Sequence, residues 1–216
     1  MKTIFWNVDT QYDFMRDDES FHGALAISGA REIEGNLEKL TKLALEKKVQ
    51  VVNTADWHTK DSKEISKSPD YKTTFPEHCL EFTKGAMYVP ATAPTRWSLY
   101  IDWRTKDDGF LGLLKQMSNA AIDIVIFKDH FDVFQGNPYT VRIMDSIKPE
   151  AAVVYGVATN VCVDYAVRGL LERGIKVYVS TDAIKELPGL PLEEILNSWK
   201  EKGAKLIKTE DVKNYL

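Results

Sequence analysis

The stretch Val153–Gly174, VVYGVATNVCVDYAVRGLLERG, leaves this chain few ways to fold. It opens as an apolar, β-branched run of the kind found in parallel sheets that are buried on both faces. It then crosses Gly156 and passes Thr159 and Asn160, both suitable N-cap residues. Beyond them Val163, Ala166, Val167, Leu170 and Leu171 recur at helical spacing on one side. Cys162 therefore falls in a first helical turn, just past the carboxyl end of a central strand, where open α/β sheets bind their ligands. A thiol there faces the positive end of the helix dipole and unpaired N–H groups, both of which favour thiolate. The same N–H groups can hold an oxyanion. Taken alone, such a cysteine also reads as a small buried apolar side chain.

The strand-to-helix pattern recurs along the chain. Residues 2–8 read as a strand ending at Asp9, 49–54 as one ending at Asp56, and 121–128 as one ending at Lys128. The central strand covers 151–157, and 176–183 and 204–209 complete a set of six. Helical spacing falls at 30–48, 108–117, 138–147, 160–173 and 191–203. The expected fold is one three-layer α/β/α domain over residues 1–216, Rossmann-like, with a six-stranded, mostly parallel sheet and right-handed crossovers. Between 57 and 107 no period is convincing, and Pro69, Pro76, Pro90 and Pro94 interrupt a stretch too long to be an idle connection.

Composition narrows the partners. The 216 residues, 44% hydrophobic, suffice for one sizeable core. A net charge of −4 with acids and bases interspersed argues against nucleic acid or a membrane surface. The apolar run in MKTIFWNVD is too short for a signal peptide, and no stretch reaches transmembrane length. Two cysteines far apart in sequence make no disulfide framework, which fits a reducing cytoplasm. Tyr88, Trp97, Tyr100 and Trp103 suggest apolar surface that a second subunit can cover.

Strand ends carry the chemistry: Asp9, Asp56, Lys128, Cys162 and Asp182. As a set they suit nucleophilic catalysis, with Asp9 as base, Lys128 steadying anions and Cys162 attacking. A second group follows from D-W-H at 56–58. Asp56 and His58 stand two apart on an extended chain and so point the same way. With His78 they offer one carboxylate and two imidazoles, a set suited to one divalent metal, zinc, iron or manganese. Ser62 and Glu64 are candidates for a further ligand. The third group is D-T-Q-Y-D-F at 9–14, where Gln11 and Phe14 are expected to line a pocket beside Asp9.

These three groups, in this order, resemble the isochorismatase-like family of cysteine hydrolases, most of all its nicotinamidases. The early D-x-Q-x-D-F pattern is met by Asp9, Gln11, Asp13 and Phe14. The lysine with its aromatic–small–x–Phe element is met by Lys128 with Phe131, Asp132, Val133 and Phe134. The box G-V-A-T-x-x-C-V is met by Gly156, Val157, Ala158, Thr159, Cys162 and Val163. The resemblance implies catalytic Asp9, Lys128 and Cys162, a cis Val157–Ala158 peptide, and an oxyanion hole of the Ala158 and Cys162 N–H groups. It implies a metal on Asp56, His58 and His78, usually zinc, beside a pocket where Phe14, Trp57, Phe75 and Phe131 sandwich a ring.

The implied reaction is hydrolysis of nicotinamide to nicotinate and ammonia, a step of NAD metabolism, through a thioester on Cys162. Other small amides, or carbamoyl and ureido compounds, are the alternative within the family. A non-catalytic small-molecule-binding α/β module is the alternative outside it, although no G-x-G-x-x-G or P-loop follows the first strand. Around the pocket the chain departs from the nicotinamidase pattern. Phe75-Pro76-Glu77-His78-Cys79 stands for Trp-Pro-x-His-Cys, and Glu81-Phe82 replaces part of a Gly-rich turn. Asp132 stands where a serine is common, and Cys79 reads as structural. The family also admits dimers and tetramers, between which the sequence does not choose.

Overall fold

Seven strands form one sheet because each apolar run offers side chains to both faces. The computed structural model describes all residues except 96, 107, 108, 111, 113–121 and 190. In chain order the strands are β1 (Thr3–Val8), β2 (Asp17–Asp18), β3 (Phe21–His22), β4 (Val51–Asp56), β5 (Ser98–Ile101), β6 (Asp123–Lys128), β7 (Ala151–Val157), β8 (Lys176–Lys185) and β9 (Lys205–Ile207). The main sheet runs β5-β6-β4-β1-β7-β8-β9 with every pair parallel, and β2 and β3 form a small antiparallel hairpin.

Alternation along β1 shows how the layers are made. Ile4, Trp6 and Val8 enter one core with Val163, Val167 and Leu170 of the helix Cys162–Glu172. Phe5 enters the opposite core with Leu37 and Leu40 of the helix Glu34–Lys47. The chain leaves β1 toward β4 on one side and returns to β7 on the other, so the two strands whose connections diverge lie side by side. That divergence opens the crevice used for ligands in such sheets. The neighbouring strands approach closely there: a Cβ on Gly156 (φ 118°) would lie 2.1 Å from the Val8 carbonyl oxygen.

The sheet has seven strands where the sequence suggests six. The extra one, β5, is a half-exposed edge strand without the all-apolar signature of its neighbours. The remaining expected strands appear, displaced by two residues at most at either end. The helix expected at 30–48 begins as a 3₁₀ turn, Ala30–Ile33, and the one expected at 138–147 starts at Thr140. The helix expected over 108–117 falls mainly outside the described residues. No helix among the described residues is long and apolar enough to cross a membrane.

Candidate active site

Three strand ends converge, as their sequence positions suggest. Lys128, the last residue of β6, is buried with its Nζ 3.0 Å from Asp9 Oδ2 and 3.8 Å from Cys162 Sγ. It also pairs with Asp56 Oδ1, at the tip of β4. A carboxylate oxygen of Asp9 and Cys162 Sγ lie within 4.8 Å of each other. Asp9 follows β1 in a left-handed backbone conformation, φ 47°, and Thr54 Oγ1 donates a 2.6 Å hydrogen bond to its Oδ1. Non-glycine residues adopt that conformation rarely, and they do so preferentially at functional sites.

The electrostatics follow from burying four ionisable groups together. Burial pushes the Asp9 carboxyl up, outweighing the opposing charge of Lys128. Asp56 goes the other way: burial opposes ionisation, but Lys128 and the two imidazoles hold it well below the usual range. Burial works against the Lys128 ammonium too, yet Asp56 and Asp9 keep it firmly charged. Cys162 corrects an expectation. Burial pushes its thiol well above the ordinary value, more than Lys128 pulls it down. A sulfur buried beside a carboxylate needs a base to become a nucleophile.

The Val157–Ala158 peptide is cis, as the family resemblance implies. The Ala158 carbonyl accepts from Val161 and Val163, whereas the Ala158 and Cys162 N–H groups have no acceptor among the described residues. The expected N-caps do not cap. Val161 occupies that position without a side-chain bond, Thr159 Oγ1 is buried without a partner, and Asn160 turns elsewhere.

A second group abuts the first. One ligand atom from each of Asp56, His58, Glu64 and His78, all buried, lies within 4.8 Å of the others. Asp56 uses its two oxygens differently: Oδ1 faces Lys128, while Oδ2 lies 3.8 Å from His58 Nε2 and 3.7 Å from His78 Nε2. His78 Nδ1 donates to the Pro76 carbonyl at 2.7 Å, which turns Nε2 toward the group. Both ring nitrogens of His58 are buried without a hydrogen-bond partner. Unsatisfied buried imidazole and a mixed nitrogen and oxygen donor set fit a divalent metal. Burial, then the charge of Asp56, pushes Glu64 up to about 8. Of the two further candidates Glu64 joins the group, whereas Ser62 Oγ accepts from the Thr59 N–H at 3.0 Å.

A largely apolar pocket adjoins both groups, touching Asp56, Glu64 and His78 of one and Cys162 of the other. Phe14 and Phe75 line it as expected, together with Ala158. Leu25, Ile27, Val161 and Leu187 complete the wall. These four were not legible beforehand, since three come from irregular segments that carry no chemical motif.

Four expected residues stand elsewhere. Gln11 is fully buried. Its Nε2 donates to the carbonyls of Asp56 (2.7 Å) and Ala86 (2.8 Å), and its Oε1 accepts from the Asp56 N–H at 2.8 Å, so it braces Asp56 rather than lining the pocket. Trp57 points away from Asp56 and stacks on Phe127, with ring centroids 4.3 Å apart. Phe131 packs on Tyr165 at 5.0 Å, outside the pocket wall. Asp182 binds the Thr209 N–H and hydroxyl, both at 2.9 Å, in a purely local contact.

Comparison with known proteins places these features. The isochorismatase domain profile matches residues 3–211. The nicotinamidase/pyrazinamidase of Mycobacterium tuberculosis is 26% identical over a 205-residue alignment that covers 88% of this chain and 97% of that one. The pyrazinamidase of Pyrococcus horikoshii, solved in complex with zinc, superposes with a TM-score of 0.71 at 23% identity over 96% of this chain and 99% of that one. The N-carbamoylsarcosine amidase of Thermoplasma acidophilum superposes with a TM-score of 0.70 at 19% identity, over 97% and 98%. At such identities the two structural likenesses speak for the fold.

Proposed function

The chain belongs to the isochorismatase domain family, and from that premise we propose that it hydrolyses a small neutral carboxamide, nicotinamide foremost, through a thioester on Cys162. The observation that carries this reading is the placement of one buried ammonium, Lys128 Nζ, 3.0 Å from Asp9 and 3.8 Å from the sulfur. Asp9 accepts the thiol proton and the thiolate attacks the carboxamide carbon. The Ala158 and Cys162 N–H groups receive the oxyanion, each worth about 3–4 kcal/mol of barrier by analogy with measured oxyanion donors. Collapse breaks the C–N bond, and Asp9 returns the proton to the departing ammonia. Asp9 then takes a proton from water as it attacks the thioester, and the sulfur leaves and recovers a proton. Lys128 keeps the acid and the sulfur in register throughout.

Asp56, His58, His78 and Glu64 are the residues that would hold a divalent cation, zinc first. When bound it supplies a positive charge and open coordination positions at the polar side of the pocket. The walls favour an uncharged substrate. Phe14, Leu25, Ile27, Phe75 and Leu187 are apolar, and the adjoining Lys128 is already engaged by two carboxylates. Along those apolar walls an anionic carbamoyl amino acid would meet no cationic side chain. Phe14 and Phe75 suit a flat ring.

Ammonia release from nicotinamide, pyrazinamide, aliphatic amides and N-carbamoyl amino acids tests the reading. Nicotinamide or another neutral amide should be turned over, and Cys162→Ala should lower kcat by at least about 10⁴-fold, as in other covalent hydrolases. An active Cys162→Ala would sink the covalent scheme, and preference for the carbamoyl anions would favour the other branch of the family.

A further inference from the structure

One stretch of the pocket wall, at Leu187, has a support of its own. Leu187 lies two residues beyond the end of β8, outside the sheet's ladder, and is followed by Pro188 and by Gly189 at φ 85°. Three hydrogen bonds nevertheless tie this segment to the loop before Cys162. The Thr159 N–H donates to the Lys185 carbonyl at 2.8 Å. The Leu187 N–H donates to Asn160 Oδ1 at 2.9 Å, and Asn160 Nδ2 donates to the Leu187 carbonyl at 2.8 Å. A side-chain amide carries the same donor and acceptor pair as a peptide group, so Asn160 pairs with Leu187 as a neighbouring strand would. Asn160 is only 9% exposed and does not cap the helix it precedes.

We propose that Leu187, held over Cys162 by the reciprocal amide clamp of Asn160, sets the upper size limit of the group that reaches the sulfur. The proposal rests on Cys162 being the nucleophile. Leu187, Val161 and Cys162 line the same pocket, and Leu187 packs against the buried cluster that contains Ala158. Asn160 is a positioning residue: it acts through Leu187, and the loop it belongs to is the loop that presents the nucleophile. Wall and nucleophile therefore move as one body, which makes the gap between them a fixed gauge.

The test compares alkylation of Cys162 by iodoacetamide and by the bulkier N-benzyl iodoacetamide, read by peptide mass so that Cys79 is scored separately. Leu187→Ala should raise the ratio of bulky to small reagent about tenfold, the scale at which an apolar pocket discriminates by size. Leu187→Trp should lower the ratio. Asn160→Ala should raise it in the same direction as Leu187→Ala, Asn160→Asp less so because one of the two bonds survives, and the two alanine changes should not add in the double variant. An Asn160→Ala variant that slows both reagents alike, leaving the ratio unchanged, would reduce Asn160 to a structural role. A ratio indifferent to both Leu187 variants would overturn the proposal. A wild-type Cys162 inert to both reagents would overturn the amidase reading first.

Discussion

Two halves of the site are built by different means. Asp9, Lys128 and Cys162 sit at the ends of β1, β6 and just past β7, and the sheet alone brings them together. His58, Glu64 and His78 belong to irregular chain held by bonds between distant residues. Asp13 is the clearest: its Oδ2 accepts from the Cys79 N–H at 2.6 Å and its Oδ1 from the Ala24 N–H at 3.0 Å. One carboxylate thus fixes the residue beside His78 and the residue beside Leu25 of the pocket wall. A Cβ on Gly85 would lie 2.1 Å from that carboxylate, so only glycine fits there. Glu64 makes a similar link, its Oε2 accepting from the Phe131 N–H at 2.8 Å. A scaffold-built half should be rigid but intolerant of charge removal. A loop-built half should fail by losing its ligand.

Lys128→Met gives the largest expected effect. It leaves Asp9 and Asp56 buried without their counter-charge, so turnover should vanish and urea unfolding should show about 3–5 kcal/mol lost. Full stability in that variant would mean the two carboxylates do not depend on the sheet-borne ammonium. His58→Ala should come next: bound metal, read by elemental analysis, should drop to background while Cys162 still reacts with iodoacetamide. Equal loss of thiol reactivity would erase the distinction between the halves. Asp13→Ala should weaken metal affinity by about 10–100-fold, the usual cost of losing support behind a ligand, and unchanged affinity would remove Asp13 from that role.

The smallest effect is a shift along the pH axis. Asp9 must be ionised to accept the thiol proton, so kcat/KM should fall as pH drops through its folded pKa. Burial places that limb above the ordinary carboxylate range. The Thr54 hydroxyl stabilises the ionised form, so Thr54→Val should move the limb to still higher pH. A limb that stays put would show that a group other than Asp9 governs it.

The same division explains what could be read without coordinates. A charge that ends an otherwise apolar strand marks the ligand edge of a sheet, and that rule located Asp9, Asp56, Lys128 and Cys162. It over-reached at Asp182, whose strand continues to Lys185. Alternation grouped Asp56 with His58, and the same alternation places Trp57 on the far side, a signal that was present and not used. Gln11 was illegible because its partners lie 45 and 75 residues away in sequence. Helix dipole and lysine favour the Cys162 thiolate, and the burial that opposes them is a property of the packed fold, which the sequence does not display. The strand β5 escaped notice because an edge strand faces water and lacks the pattern of its neighbours.

Among the described residues Asp56 serves both halves, offering one oxygen to the ammonium and the other to the imidazoles. The two halves therefore meet at one shared anion. A change at either histidine acts from one side of that anion, whereas no change at Asp56 is silent on either side. The ammonium depends on that aspartate whether or not a cation sits among the imidazoles.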